Sequence, residues 1–358
     1  MAADLAAMTV SVEELRAKLV NQYVSTARIM WDSLTPSDWW NDAVTTGSAA
    51  YLALIETRMI AQVRRLGISY ADATLRQMGV TPSGQVDTGI YPRANTDPWL
   101  VAARPADTYR SLSSKTPDVR PSAWPDEGDG FYDTVQQWLD AAYQRLELTA
   151  DTDAHAAQTS ATIDRYRGSK VLEYRRVIHP ELSKTGSCGL CIVAADRWYS
   201  TSNLLPLHDR CKCGVAPAGA DYDPGFELNN RDLQDIYDAA GGRKAKDLVN
   251  VRVQTVTHGE LGPILQKADV KPRDDSEISA KEWRTPDRQL TRQQIRQQID
   301  RAIEFGRRYR QVDETLEPVT FRYGGRKYTF KPSPHNDQAR QYMSLYVKAL
   351  RAQLGEAA

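Results

Sequence analysis

The chain has 358 residues, of which 41% are hydrophobic, and its 46 Lys and Arg residues balance its 46 Asp and Glu residues. This length allows two or three domains with a sizeable core, and the zero net charge would not steer the whole molecule to nucleic acid or to an anionic membrane. No apolar run approaches the roughly 20 residues of a membrane-spanning helix. The start of the chain lacks the basic and apolar regions of a signal peptide, so we expect it to fold in the cytoplasm.

Residues 1–80 carry helical patterns. A capping box at Ser11 opens the first, and apolar residues then recur at steps of three or four along one face. Thr35 is suited to cap a second helix that continues to Gly67, and a short third helix is predicted from Ser69 to Gly79. We therefore predict an N-terminal helical region over residues 1–80.

Residues 81–130 are rich in Pro, Gly, Asp, Ser and Thr. A long segment without helical or strand periodicity is typical of a functional loop or of an arm that becomes ordered on a partner. It contains Trp99, Tyr109 and Trp124, which are of the residue types that anchor protein interfaces. We predict a connector or arm with these three residues as partner-binding candidates. The alternative is that the segment packs on its own helices.

From residue 131 a helical period returns, and short β-type segments follow after Lys170. We predict a mixed α/β domain over residues 131–270 and a polar linker over 271–290. In the remaining region, 291–358, Thr291 caps a helix, Gly324 and Gly325 form a hairpin turn, and a last helix follows. The predicted class is α+β: a helical N-terminal region, a small mixed α/β domain with a Cys/His cluster of the zinc type, and a C-terminal helix-hairpin-helix region.

All four cysteines lie between residues 188 and 213. Cys188 and Cys191 have CxxC spacing, which lets two thiols reach one ion, and His208, Cys211 and Cys213 follow after a short loop. Such clustering in a chain without a secretory signal favours a metal site over a disulfide framework. Five candidates exceed the four positions of a tetrahedral zinc ion. We predict a structural zinc ion bound by Cys188, Cys191 and Cys211, with either His208 or Cys213 as the fourth ligand.

Three other interpretations of the cysteine cluster stay open. CxxC spacing also suits thiol redox chemistry, although no thioredoxin-like context surrounds it here. A catalytic zinc ion would need an open coordination position, which four protein ligands do not leave. Reduced cysteines can also pack as small hydrophobic residues.

Other candidate residues are weaker. His258 and Glu260 follow a predicted strand, but no nucleophile elbow or spaced partner accompanies them. His155 and His335 have polar neighbours and are predicted to be solvated. The C-terminal region is locally basic, which indicates either a solvated face or a surface for nucleic acid. Its basic residues are Arg292, Arg296, Arg307, Arg308, Arg310, Arg322, Arg326, Lys327 and Lys331.

A series of short motifs runs from residue 174 to residue 217. The motifs are Tyr174-Arg175-Arg176-Val177, Cys188-Gly-Leu-Cys191, Leu205-Pro206-Leu207-His208, Cys211-Lys-Cys213 and Val215-Ala216-Pro217. Together they resemble the shared core of the Mu F-like minor head proteins of tailed bacteriophages. The resemblance covers about residues 131–265, and the preceding helical region also suits that family. Asp209 stands where such proteins often have Pro, on a loop position that is not a ligand.

The resemblance implies a structural minor capsid protein that associates with the portal and other head proteins. It implies a place inside the virion near the portal, after assembly in the host cytoplasm, and no membrane. Packaged DNA is a further candidate partner for the basic C-terminal region. The alternative is an enzyme carried in the virion, either a head-maturation protease or a toxin-type enzyme. It would need a Ser-His-acid set or a transferase motif, and the sequence shows neither.

Overall fold

The computed structural model describes residues 2–179, 189–195, 197–205, 211–219, 221–230, 253–267 and 290–356. These residues form a mixed α+β structure that is mostly helical, which confirms the predicted class. Two compact units are present. Unit 1 comprises Met1–Val20, Met59–Asn95 and Asp151–Arg288, and unit 2 comprises Asn21–Arg58, Thr96–Ala150 and Gln289–Ala358. Unit 1 thus combines parts of the predicted N-terminal region with the cysteine-bearing region.

Helices and short antiparallel strands make up both units. The helices are α1 (Ala2–Asp32), α2 (Pro36–Trp39), α3 (Asp42–Gln77), α4 (Pro98–Ala102), α5 (Arg104–Ser113), α6 (Tyr132–Gly168), α7 (Gly189–Ala195), α8 (Arg292–Thr315) and α9 (Asn336–Leu354). The strands are β1 (Glu173–Val177), β2 (Trp198–Ser200), β3 (Gly214–Ala218), β4 (Val253–His258), β5 (Gly262–Lys267), β6 (Val319–Tyr323) and β7 (Arg326–Phe330). Residues 224–230 are also helical. In the part of the chain that the structure describes, no helix has the length and apolar character to cross a membrane.

The N-terminal helices differ from the prediction at their ends. Helix α1 begins at Ala2 rather than at Ser11, because the alanine-rich start favours helix and buries Leu5 in a cluster with residues of β1 and β3. The predicted second and third helices are one helix, α3, from Asp42. Gly67 lies inside α3, where a Cβ atom would be 2.5 Å from the carbonyl oxygen of Gln158 in α6. This glycine permits a close helix contact and does not end the helix.

The predicted connector contains helices α4 and α5, which is a correction to the expected lack of regular structure. Pro98 is the first residue of α4 and Pro105 the second residue of α5, and proline is favourable in the first turn of a helix. Trp99 and Tyr109 are buried. Tyr109 packs on Trp39 with ring centroids 4.9 Å apart, all within unit 2. For these two aromatic residues the structure therefore shows the self-packing alternative.

The three-stranded sheet of unit 1 has the order β2-β1-β3, and both pairs are antiparallel. One face of the sheet packs on α3 and α6, in a core that includes Leu75, Tyr166 and Tyr174. Strand β1 pairs with β3 from Glu173 to Val177. This pairing places the end of β1 beside the start of β3, which directly follows the last cysteine.

In unit 2, the hairpin β6–β7 lies between helices α8 and α9 in the chain. Phe305 of α8 contacts Phe321, Tyr328 and Phe330 of the hairpin, with ring centroids 4.9 to 5.6 Å apart. Gly324 and Gly325 have φ values of 56° and 82°. These values suit the two-residue turn between the strands, a conformation in which most other residues would be strained.

Candidate metal centre

Three cysteines meet in the interior of unit 1. Cys191 lies on α7, and Cys211 and Cys213 lie on the segment that leads into β3. All three are buried, and their sulfur atoms lie within 4.8 Å of one another. The group could therefore hold a metal ion. The two other predicted ligands, Cys188 and His208, lie outside the described residues.

Local structure explains why these thiols converge. Gly214 pairs with Val177, which fixes Cys213 at the end of the β1–β3 ladder. Cys211 and Cys213 are two apart, so they share one face if the chain there is extended. Lys212, between them, instead forms an ion pair with Asp151 at 3.0 Å. The three cysteines pack with the apolar residues Ile178 and Ala195.

A buried arginine contacts the sulfur atoms. Nη1 of Arg176 lies 3.6 Å from Sγ of Cys191 and 3.5 Å from Sγ of Cys211. Burial lowers the pKa of Arg176, but the negative potential of the three thiols outweighs burial and raises the pKa above its usual range. Hydrogen bonds from Cys191 and Cys213 hold the pKa of Cys211 well below its ordinary value. A lowered pKa favours the thiolate, which is the form that binds metals.

His155 also belongs to this neighbourhood, and the prediction that it is solvated was wrong. Its side chain on α6 is buried, and Nδ1 lies 2.7 Å from Nη1 of Arg16 on α1. A guanidinium group only donates hydrogen bonds, so Nδ1 accepts and Nε2 carries the proton. The signal that the sequence analysis missed is the small-residue stripe of Ala154, Ala157 and Ala161, which is fully buried and allows close helix packing around His155.

His258 is the last residue of β4, Glu260 lies in the turn between β4 and β5, and both take part in structural contacts. Nδ1 of His258 accepts the backbone N–H of Glu260 at 3.1 Å. The Glu260 carboxylate accepts a hydrogen bond from Arg93 at 2.8 Å, and Arg93 also donates to the buried Asp153 of α6 at 2.7 Å. This ion network attaches the hairpin turn to α6.

The remaining candidates of unit 2 have varied surroundings. Trp124 donates its Nε1–H to the carbonyl oxygen of Leu34 at 2.8 Å. His335 is partly buried, with Nδ1 2.8 Å from Asp38. Several basic residues are paired internally: Arg296 with Glu356, Arg307 and Arg308 with Glu304, and Arg326 with Asp107. Arg322 and Lys327 are exposed and stand opposite each other in the β6–β7 ladder.

No family model, curated protein or solved structure matches this chain. The described residues define a mixed α+β protein in which a buried three-cysteine group joins α7 to the start of β3.

Proposed function

We propose that this chain is a structural minor head protein of a tailed bacteriophage, similar to the Mu F-like family, with a zinc ion bound to its cysteine cluster. The observation that carries the proposal is the convergence of Cys191, Cys211 and Cys213 in one buried group. These are three of the four cysteines in the Cys188-Gly-Leu-Cys191 and Cys211-Lys-Cys213 motifs, which belong to the resemblance. A protein that has to remain folded within a large assembly gains from such a crosslink between distant segments of its chain.

Zinc is the ion that best fits this group of donors. Three buried thiols favour a soft or borderline ion, and zinc commonly takes four sulfur and nitrogen ligands in tetrahedral geometry. The fourth ligand would come from Cys188 or His208, the two remaining candidates of the motifs. Cys191, Cys211 and Cys213 are at most 3% exposed, which supports a structural ion rather than one that exchanges water and substrate.

The proposed partners are the portal and other head proteins, and the proposed location is the virion interior near the portal. Packaged DNA is proposed as a further partner of the C-terminal region. Arg322 and Lys327 support this, because two like charges directly opposite each other in a hairpin are unfavourable until an anion lies between or above them. His258 and Glu260, the weak catalytic candidates, are engaged in structural contacts, so the enzyme alternative gains no support from them.

Co-assembly tests the proposed function. The full chain, with a small affinity tag, would be produced together with the portal and the other head proteins encoded beside it, and the assembled heads would be purified by sedimentation. We expect the chain to sediment with the heads and to be captured with the portal before assembly. A folded, metal-loaded chain that is absent from both fractions would contradict a head role without affecting the metal centre.

A further inference from the structure

Two neighbouring arginines of β1 point to opposite faces of the sheet and have different partners. Arg175 donates to Asp223 at 2.7 Å and to the carbonyl oxygen of Ala195 at 3.0 Å. Arg176 faces the cysteine cluster, and its side chain is fully buried. The pairing of Arg176 with Val215 fixes its backbone, and so does a 2.8 Å hydrogen bond from Asn229 to its carbonyl oxygen. The position of the guanidinium group is thus set by the sheet.

A fully buried guanidinium group has to be compensated, because an uncompensated charge in the interior is very costly. Sulfur atoms face the guanidinium group of Arg176, since its Nη1 lies 3.6 Å from Sγ of Cys191 and 3.5 Å from Sγ of Cys211. The arginine and the thiols therefore depend on each other. In the reverse direction, a divalent ion leaves one excess negative charge with three thiolates and His208 as ligands, and two with Cys188 as the fourth ligand. A single arginine offsets one of these charges.

We propose that Arg176 is the counter-cation and positioning residue of the metal centre. Its Nη1–H groups hold the sulfur atoms of Cys191 and Cys211 at the spacing that one ion requires, and its positive charge offsets one of the negative charges that the thiolates leave after the ion binds. This inference rests on the proposed metal centre and adds to it a residue that does not bind the ion. Hydrogen bonds of this kind orient metal ligands, and their loss typically costs about 10-fold to 100-fold in metal affinity.

Cobalt(II) is a suitable probe because its absorption spectrum reports directly on bound thiolates. The full chain would be loaded with cobalt as wild type, Arg176→Met and Arg175→Met, and the metal would be titrated away with a chelator. An N–H group that donates to a sulfur withdraws electron density from it. Arg176→Met should therefore move the sulfur-to-cobalt charge-transfer band to lower energy and weaken cobalt affinity by about 10-fold to 100-fold. Arg175→Met is the matched control, because Arg175 is a buried arginine of the same strand and its partners are Asp223 and Ala195 rather than the sulfur atoms. The charge-transfer band of Arg175→Met should be that of the wild type.

Arg176→Lys provides a milder test in case Arg176→Met does not fold. Lysine keeps the positive charge but lacks the planar guanidinium group, so we expect a smaller shift of the band in the same direction. The role of Arg176 would be overturned if Arg176→Lys had the same band and affinity as the wild type. It would also be overturned if Arg176→Met had the same band and affinity as Arg175→Met. Neither result would affect the metal centre itself. Wild-type protein that gives no thiolate band would overturn the metal centre itself, and the proposed role of Arg176 with it.

Discussion

The Sγ atoms of Cys191 and Cys211 lie 3.9 Å apart, although α7 carries one residue and the segment before β3 carries the other. A disulfide would bring the sulfur atoms to about 2.05 Å, so these two residues are not bonded to each other. With Cys213 they form a group in which each sulfur can reach one shared ion. The stability of unit 1 should therefore depend on these thiols more than on apolar neighbours of the same pocket.

Removal of one sulfur tests this dependence. Cys211→Ser should abolish metal binding and lower the free energy of unfolding of unit 1 by about 3–5 kcal/mol, because loss of a structural metal belongs to the severe class of substitutions. The matched control is Ile178→Val in the same cluster, which should cost about 0.5–1.5 kcal/mol and leave the metal bound. Chemical denaturation with parallel metal analysis measures both. Equal costs for the two variants would indicate that the cysteines pack only as small hydrophobic residues.

The ion network at the β4–β5 turn should be sensitive to loss of its cation. Arg93→Met leaves the carboxylates of Asp153 and Glu260 buried without their shared partner, so we expect a loss of about 3–5 kcal/mol in the free energy of unfolding. Arg307→Met is the control, because Arg307 is 67% exposed and its ion pair with Glu304 should contribute less than about 1 kcal/mol. Urea denaturation gives both values, and similar values for the two variants would refute a buried network.

Two helical glycines in unit 2 should respond to alanine in opposite directions. A Cβ atom on Gly47 of α3 would lie 2.5 Å from the backbone oxygen of Ala339 in α9, so Gly47→Ala should force the helices apart and destabilise unit 2 by about 1–3 kcal/mol. A Cβ atom on Gly306 of α8 would meet nothing within 4 Å. Gly306→Ala should therefore stabilise by up to about 1 kcal/mol. Thermal unfolding compares the variants, and a neutral Gly47→Ala would contradict the close contact.

Acid should destabilise unit 2 through Asp38. Burial would raise the pKa of Asp38, but hydrogen bonds from Ser333 and Thr35 outweigh burial and hold the pKa below its ordinary value of 3.8. Because the pKa is lower in the folded than in the unfolded chain, this carboxylate stabilises the fold fully above pH 3.8, and the contribution is lost as the pH falls below that value.

The Asp38→Asn variant should therefore be less stable than wild type at neutral pH, and its free energy of unfolding should fall less steeply below pH 3.8. Ser333→Ala, which removes one hydrogen bond to the carboxylate, should give an intermediate profile. Denaturation at a series of pH values provides the comparison. Parallel profiles for wild type and Asp38→Asn would show that the carboxylate makes no pH-dependent contribution.

Local signals in the sequence predicted part of the fold. Thr35 and Thr291 form the capping boxes that their neighbours indicate, because a cap depends on residues within one turn. The start of α1 and the continuity of α3 were not predictable in this way. They depend on the burial of Leu5 against the sheet and on the contact of Gly67 with α6, which are tertiary interactions.

In the candidate site too, local sequence signals predicted some residues, and tertiary packing determines the others. Spacing predicted five candidate ligands, Cys188, Cys191, His208, Cys211 and Cys213, since the ligands of a metal site often form short motifs. Three of them, Cys191, Cys211 and Cys213, form one group in the described residues. Spacing did not indicate His155 or Arg176. His155 reaches this neighbourhood only through the packing of α6 on α1, and the pairing of β1 with β3 decides which of two adjacent arginines faces the sulfur atoms.

The metal content of the purified full chain tests the central claim most directly. After dialysis against a mild chelator, elemental analysis should find about one zinc ion per chain, and a thiol reagent should react slowly until the protein is unfolded or the metal is removed by a strong chelator. A chain that remains folded without metal, with four freely titrating thiols, would contradict a zinc-stabilised cysteine cluster.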